Sequence, residues 1–563
     1  MYLKGTSQQA PDWLWAKATG ETGDDHGYAI TTDASGNVYT TGQFYGTVDF
    51  DPGVGVFNLT GWGEMFISKL DDMGNFVWAK AVDGLGNENG YSIAVDPSGS
   101  GDVYTTGQFY GTVDFDPGAD TFNLISAGLG DIFISKLDDT GNFVWAKSMG
   151  GINKDEGSSI AVDASGYVYA TGYFRDTADF DPGLGIFNLN ANWGSGLFIS
   201  KLDNAGNFVW AKAMGDTATF GRSIAVDASG NVYTTGYSYG TVDFDPGGGT
   251  FIVTSDDDDI FISKLDSSGN FVWTKVISGS NDDEGRSIAL DASGNVYITG
   301  YFGGGTVDFD PDSSGIFNLN STGSLEIFIS KLNSAGNLMW AKAIGGTSGD
   351  QGFSIAVDAS GNVYTTGYFR FTADFNHDSF GNFSLTSAGN EDIFISKLDS
   401  SGNFVWAKAA GGTKADFGTA ISPSASDNVH VTGYFESPFI TFDSITFSNA
   451  DTFGYWGNFT SDIFIAKLDN MITGIESVKN INDIFVFPNP SSNEFTLQLE
   501  SNTHHIISIS NTLGEILLQT ETNSSTLQLE VSYFTSGVYF VTVGTLSDTF
   551  KVSDSFTKKF VKM

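Results

Sequence analysis

FISKLDDMGNFVWAK, residues 66–80, recurs with small changes at Phe133, Phe198, Phe261, Phe328 and Phe394. Each half also stands once alone: WAK at Trp15 and FIAKL at Phe464. The WAK or WTK tryptophans (Trp15, Trp78, Trp145, Trp210, Trp273, Trp340 and Trp406) are spaced by 63, 67, 65, 63, 67 and 66 residues. FISKL and FVWAK are β-branched and aromatic, and the Asp-Asp-Met-Gly-Asn between them is a turn, so the segment reads as a β-hairpin. The orphan at each end lacks what the other has. A linear solenoid has no reason to split one unit between its ends. A closed ring does, because the first strand can complete the last unit. The spacing therefore predicts an all-β chain built on a seven-bladed β-propeller closed by its N-terminal strand.

Within one repeat, alternation and Gly/Asn turns predict strands over residues 92–96, 103–109, 132–137 and 143–147. The WAK strand is expected outermost and the SIAVD strand innermost, against the channel. Two short turns per blade, DASGN and DDxGN, then share one face. The loop between the second and third strands and the crossover to the next blade share the other. The crossovers vary, as in GETGDDHG (20–27), GGINKDEG (150–157), GDTATFG (215–221) and SGSNDDEG (278–285). A repeated scaffold with one variable face is expected to carry its function there; drift in unconstrained loops is the alternative.

The chain has no cysteine, which excludes disulfides, thiolate metal sites and cysteine catalysis. Its net charge is −41, of which −37 falls on residues 1–475. Such a surface repels nucleic acid and anionic lipid. No apolar run is long enough to cross a bilayer as a helix. The ring is expected to be a monomer.

Three sets of residues are candidate sites. Two residues before the Gly that enters each inner strand stand Asp25, Glu88, Asp155, Asp283, Asp350 and Asp416, with Thr219 in the fourth blade. Symmetry would arrange them as a ring, and Ca²⁺ prefers such oxygen ligands; local turns are the competing reading. The TVDFDPG segments place Asp49 and Asp51, and their counterparts, on one side of an extended strand, where a pair can hold a cation. A strand ending in an Asp-Pro-Gly turn explains them equally. Trp62, Trp193 and Trp456 precede the third strand in three blades only, and exposed indoles can stack on sugar rings. Arg175 and Arg370, both in TGYFR, are cations that break the symmetry. Catalysis has thin support: there is no GxSxG, no HExxH and no phosphate-binding glycine loop.

After Asp469 the repeat stops. Residues 1–10 read as an extension, 11–470 as the ring, 471–483 as a linker and 484–563 as a small β-sandwich. The tail contains Pro488-Asn489-Pro490, an NTLGE turn ending at Gly514 and Glu515, Gly537-Val538-Tyr539, and a basic last strand with Lys558, Lys559 and Lys562. On these residues it resembles the type A C-terminal sorting domain of the Bacteroidota type IX secretion system. The repeats resemble the bacterial β-propeller repeat family. The resemblance implies export by the type IX machinery and a secreted or outer-surface location. The start, MYLKGTSQQAPDWLWAK, lacks the apolar core of a signal peptide, so the true start is expected upstream.

The expected function is a binding or adhesion module for polysaccharide or surface glycan. The rivals are an extracellular polysaccharide-degrading enzyme and a structural matrix protein. An enzyme predicts a polar cluster that breaks symmetry at the channel or on the variable face, and a binder predicts exposed aromatics there.

Overall fold

The computed structural model describes residues 10–21, 23–84, 86–215, 218–279, 281–312, 315–376, 383–425, 428–450 and 460–469 of the first part of the chain, and 485–487, 494–498, 505–511, 516–524, 526–546 and 552–562 of the rest. All regular structure among these residues is strand. The chain divides into two compact units, residues 1–471 and 472–563.

In the first unit the hairpins assemble into four-stranded antiparallel sheets. The first sheet is His26–Thr32, Val38–Asp49, Asn58–Leu70 and Phe76–Ala81. The second is Asn89–Val95, Val103–Phe109, Asp131–Leu137 and Phe143–Gly151. The pattern repeats through the sixth, Gln351–Val357, Val363–Asp374, Ser384–Leu398 and Phe404–Ala410. The last sheet takes Asp416–Pro423, Val429–Phe435 and Asp462–Leu468 from the end of the unit and Trp13–Thr19 from its start. Seven such sheets occur among the described residues, with Trp13 opposite Leu468 and Thr19 opposite Ile463 in the closing pair.

Alternating side chains face neighbouring sheets, so the core lies between blades rather than within them. One cluster joins Tyr104, Ile132 and Ile134 of the second blade to Ile160, Val168, Phe174 and Phe198 of the third. At the closure Ile30, Val38 and Phe66 of the first blade meet Ala420, Ile463 and Ile465 of the last. The invariant polar residues of FISKL…WAK fasten this contact. Trp78 Nε1 donates to the Asp139 carbonyl of the next blade at 3.0 Å, and Lys69 Nζ reaches the same carbonyl at 3.2 Å. The same residues repeat the latch at the closure: Trp15 Nε1 (3.2 Å) and Lys467 Nζ (2.9 Å) both donate to the Asp72 carbonyl. In six blades a second-strand tyrosine, such as Tyr39 or Tyr104, lies under the latch lysine at about 5 Å. The last blade has buried His430 there, whose pKa burial lowers to about 4.

The second unit pairs Phe485–Phe487, Glu494–Gln498 and Thr526–Glu530 in one sheet. Ile516–Thr522, His505–Ser510, Gly537–Leu546 and Val552–Lys562 form another. Phe495, Leu497, Ile507, Ile509, Leu529, Tyr539 and Val541 fill one shared core. Tyr539 is buried and donates to the Thr535 carbonyl at 2.7 Å; Lys558, Lys559 and Lys562 lie on the last strand opposite Val541, Phe540 and Gly537. Pro488, Asn489, Pro490, Gly514 and the 471–483 segment lie outside the described residues.

Candidate functional site

Every inner strand carries a β-bulge at one position. In the first blade Gly27 pairs with Gly42 and Ala29 with Thr41, which leaves Tyr28 unpaired. The same shift isolates Tyr91, Ser158, Arg222, Arg286, Phe353 and Thr419 in the other blades. The glycine of the TTG motif makes the bulge possible. A Cβ on Gly42 would stand 1.8 Å from the His26 carbonyl oxygen, and one on Gly107 1.7 Å from that of Asn89. Any other residue at these positions would push the bulged strand away. The glycine before the bulge and the Ile two residues after it are invariant, yet the bulged residue is Tyr, Tyr, Ser, Arg, Arg, Phe and Thr.

The inner strands pack side by side around the axis, the first against both the second and the last. The bulges therefore form a ring at the crossover end of the channel. Rings flank it on both sides. Phe353 meets Tyr368 at 5.5 Å, Tyr368 meets Phe417 at 5.3 Å, Phe417 meets Tyr434 at 5.0 Å and Tyr434 meets His26 at 4.1 Å. Tyr28 continues the series, 5.6 Å from both His26 and Tyr91. On the opposite arc Tyr173 and Phe220 lie 5.0 Å apart, and Phe220 stacks on Tyr237 at 4.9 Å. Most of these rings are half-buried. Burial lowers the pKa of His26 to about 4, so it is neutral at physiological pH.

The arc between Tyr237 and Phe353 is charged. Glu284, 4 % exposed, accepts from Arg222 Nε at 2.5 Å, from Arg286 at 3.1 Å and from Tyr301 Oη at 2.8 Å. Arg222 lies over Tyr237 at 5.3 Å, and Arg286 sits 5.4 Å from Tyr301 and 5.3 Å from Phe353. Lys154 pairs with Glu156 at 3.1 Å over Tyr173. This collar combines half-buried aromatics with a polar cluster that breaks the symmetry.

The acidic residues expected as a ring are fully buried, each at the start of its inner strand. Asp155 accepts from the backbone amides of Arg175 (2.9 Å) and Gly151 (2.7 Å), and Asp350 from those of Arg370 (2.8 Å) and Gly346 (2.9 Å). Asp25 and Asp416 bond in the same way to Tyr45 and Glu21, and to Ser437 and Gly412. Asp283 accepts from the Gly303 amide at 2.9 Å, and neither Glu88 oxygen meets a donor with hydrogen-bond geometry. A second acid from the preceding blade faces each of five: Glu64 with Glu88, Asp131 with Asp155, Asp259 with Asp283, Glu326 with Asp350 and Asp392 with Asp416. A Cβ on Gly345 would stand 2.8 Å from Glu326 Cγ and 2.9 Å from Asp350 Oδ2, so the pair shares one small space. Burial, reinforced by this neighbour, raises Glu88, Asp155, Asp283 and Asp416 to about 7 and Asp350 to about 6; burial also raises Asp25 to about 7.

Asp49 and Asp51 form a turn scaffold. Asp49 Oδ1 accepts from the amides of Asp51 (3.0 Å) and Phe57 (2.7 Å), and Asp51 Oδ1 from that of Gly53 (2.8 Å). Among the described residues no three His, Cys, Asp or Glu side chains are placed to hold a metal ion. Trp62 is 77 % exposed beside a shallow depression of about 390 Å³ that it lines with Gly86, Asn87 and Tyr110. Trp193 lies in the strand Asn188–Leu202, but its side chain, like all of Trp456, is outside the described residues. Arg175 is exposed, and Arg370 pairs with Glu391. The bulge ring was the part that sequence reasoning missed; its signal was one variable position between constant neighbours.

Residues 485–562 match the secretion system C-terminal sorting domain, and residues 215–242, 272–301 and 340–368 match the beta-propeller repeat. An uncharacterized WD repeat-containing protein of Acanthamoeba polyphaga mimivirus is 26 % identical over 518 residues, 78 % of this chain and 37 % of that one. An endo-acting ulvan lyase of Formosa agariphila is 32 % identical over 80 residues, 14 % of each chain. The chain thus spans well under half the length of the curated relatives it matches. Among solved structures, Sqt1 from Chaetomium thermophilum aligns with TM-score 0.34 and 12 % identity, covering 76 % of this chain and 83 % of that one. PorZ, a surface component of the type IX secretion system of Porphyromonas gingivalis, aligns with TM-score 0.17 and 13 % identity, over 97 % and 100 %. No helix is long and apolar enough to cross a membrane among the described residues. Repeats and tail together identify the chain as a secreted or outer-surface β-propeller repeat protein that carries a type IX secretion C-terminal sorting domain.

Proposed function

We propose that this protein binds extracellular polysaccharide at the collar around the crossover end of its channel. The observation that carries the reading is the ring of bulges: a fixed backbone device presents five kinds of side chain from seven blades to one place. A purely structural ring needs no such variation. Half-buried Tyr, Phe and His rings suit sugars, whose C–H faces stack on aromatics while their hydroxyls can bond to the Tyr and His tips. Trp62 extends the same chemistry over the variable face. The sorting domain delivers the ring to where such polymers are met.

The test is binding of the full chain to a panel of soluble polysaccharides, with Tyr28→Ala/Phe353→Ala and Trp62→Ala beside the parent. The collar pair is expected to lose at least about ten-fold in affinity, because stacked rings contribute about 0.5–1.5 kcal/mol each beyond their buried area. Unchanged affinity in the collar pair with loss in Trp62→Ala would move the site to the rim. No binding to any polymer would end the proposal.

A further inference from the structure

We infer that the collar selects anionic polysaccharide, through uronate carboxylates or sulfate esters held by Arg222 and Arg286. This rests on the polysaccharide reading of the same collar. It starts from where the positive charges lie. Residues 1–475 carry 21 Lys and Arg against 58 Asp and Glu. Seven of the 21 are FISKL or FIAKL latch lysines and seven are WAK or WTK lysines, repeated in every blade. Apart from Lys4, the remaining cations are Lys154, Arg175, Arg222, Arg286, Arg370 and Lys414. All six lie at crossovers, at bulges or at the ends of second strands, and so on one face of the ring. A surface this acidic repels polyanions unless a local site reverses the sign.

Arg222 and Arg286 occupy the bulge in adjacent blades, four and five, where other blades carry Tyr, Ser, Phe or Thr. Glu284 between them is one carboxylate for two guanidinium groups, while Glu156 and Asp258 act on Arg222 from outside the trio. Arg286 Nε is buried and has no hydrogen-bond partner, although its Nη2 bonds Glu284. The guanidinium is held between Tyr301 and Phe353 and is only partly exposed, so little freedom is lost when a ligand docks. A planar guanidinium fork matches the geometry of a carboxylate or sulfate, which a neutral sugar does not offer. Adjacent stacking rings position the sugar that carries the anion.

The experiment measures binding of the full chain to a polyuronate, a sulfated galactan and a neutral β-glucan, at low and high salt. Arg222→Gln, Arg286→Gln and Tyr28→Ala/Phe353→Ala are compared with the parent. The expected result is preference for the two charged polymers, weakening with salt, and a loss of about ten-fold or more in each Arg variant, since each removes a charge-assisted hydrogen bond to the anion. Near-ultraviolet dichroism checks that each variant keeps its folded aromatic environment. Equal binding of the neutral polymer, with both Arg variants unchanged and the aromatic pair impaired, would overturn the anionic selection and leave the polysaccharide reading standing. Loss of neither, or no binding to any of the three, would overturn both.

Discussion

Trp13→Ala tests the closure of the ring. Trp13 is 7 % exposed, packs edge-to-face on Phe442 at 4.9 Å and sits in the cluster of Trp406, Val429, Phe435 and Phe464. Removing a buried Trp costs about 3–5 kcal/mol. Its indole Nε1 is buried without a partner, so the change also relieves one unmet donor, which offsets about 1 kcal/mol. The net loss is about 2–4 kcal/mol. It falls on the local opening of strand Trp13–Thr19 from Asp462–Leu468, because the other six blades are covalently complete hairpin pairs. Native-state hydrogen exchange of the 463–468 amides reads this directly, and the loss corresponds to roughly 30- to 700-fold faster exchange there. Amides of the central blades, such as 198–202, should keep their rates. Leu14→Ala, at a residue 49 % exposed, is the control and should change little. Exchange at 463–468 within three-fold of the parent, or acceleration spread evenly over all blades, would refute the view that the N-terminal strand holds the circle shut.

The buried acids give a pH dependence of definite sign. Asp25, Glu88, Asp155, Asp283 and Asp416 titrate near 7 in the folded chain, above the ordinary carboxylate range. The native state therefore holds protons that the unfolded chain releases, so the stability these groups contribute is full below about pH 4 and is lost as pH rises through 7. The denaturant midpoint should fall between pH 5 and pH 8; a midpoint that rises over that range contradicts it. Glu88→Gln removes one such group and should stabilise the ring by up to about 3 kcal/mol at pH 8 while changing little at pH 4, read from paired denaturation curves. Deleting residues 472–563 should leave the ring folded and abolish its appearance outside the cell; continued export would assign the sorting signal elsewhere.

The architecture was legible because the residues that repeat are those that latch one blade to the next. Lys69 and Trp78 must both reach one turn carbonyl of the following blade, so their spacing is fixed and survives in the sequence. The Asp-to-Asn turns were legible for a similar reason: Asp33 Oδ1 caps the amides of Ser35 and Asn37. The inner strands were read as starting at Ser92 and its counterparts, whereas they run from Asn89 across the bulge. A bulge breaks two-residue alternation, so pattern reading stops there and discards the variable residue as loop. The acid of the crossover was seen without its partner. The partner precedes it by 24 residues in five junctions, on a different strand of a different blade, and no local pattern joins positions so far apart.

The junction between the third and fourth blades shows why the two carboxyls form one unit. There Thr219 replaces the crossover acid and Gly196 stands where the other blades place its partner. Both charges are lost together. A single carboxylate left in that buried space would need a proton or cation of its own, and a single hydroxyl beside one would not supply it. In the Asp155 and Asp416 junctions one acid holds two amides while an oxygen of the other, Asp131 Oδ1 or Asp392 Oδ1, has no donor. A proton on that oxygen removes one of the pair's two charges and supplies the missing bond. The acids that look like a cation ring in the sequence are thus buried between blades, most of them bonded to backbone amides. The side chains that differ from blade to blade stand one turn of chain later, on the bulge, where the backbone is constant and the residue is not.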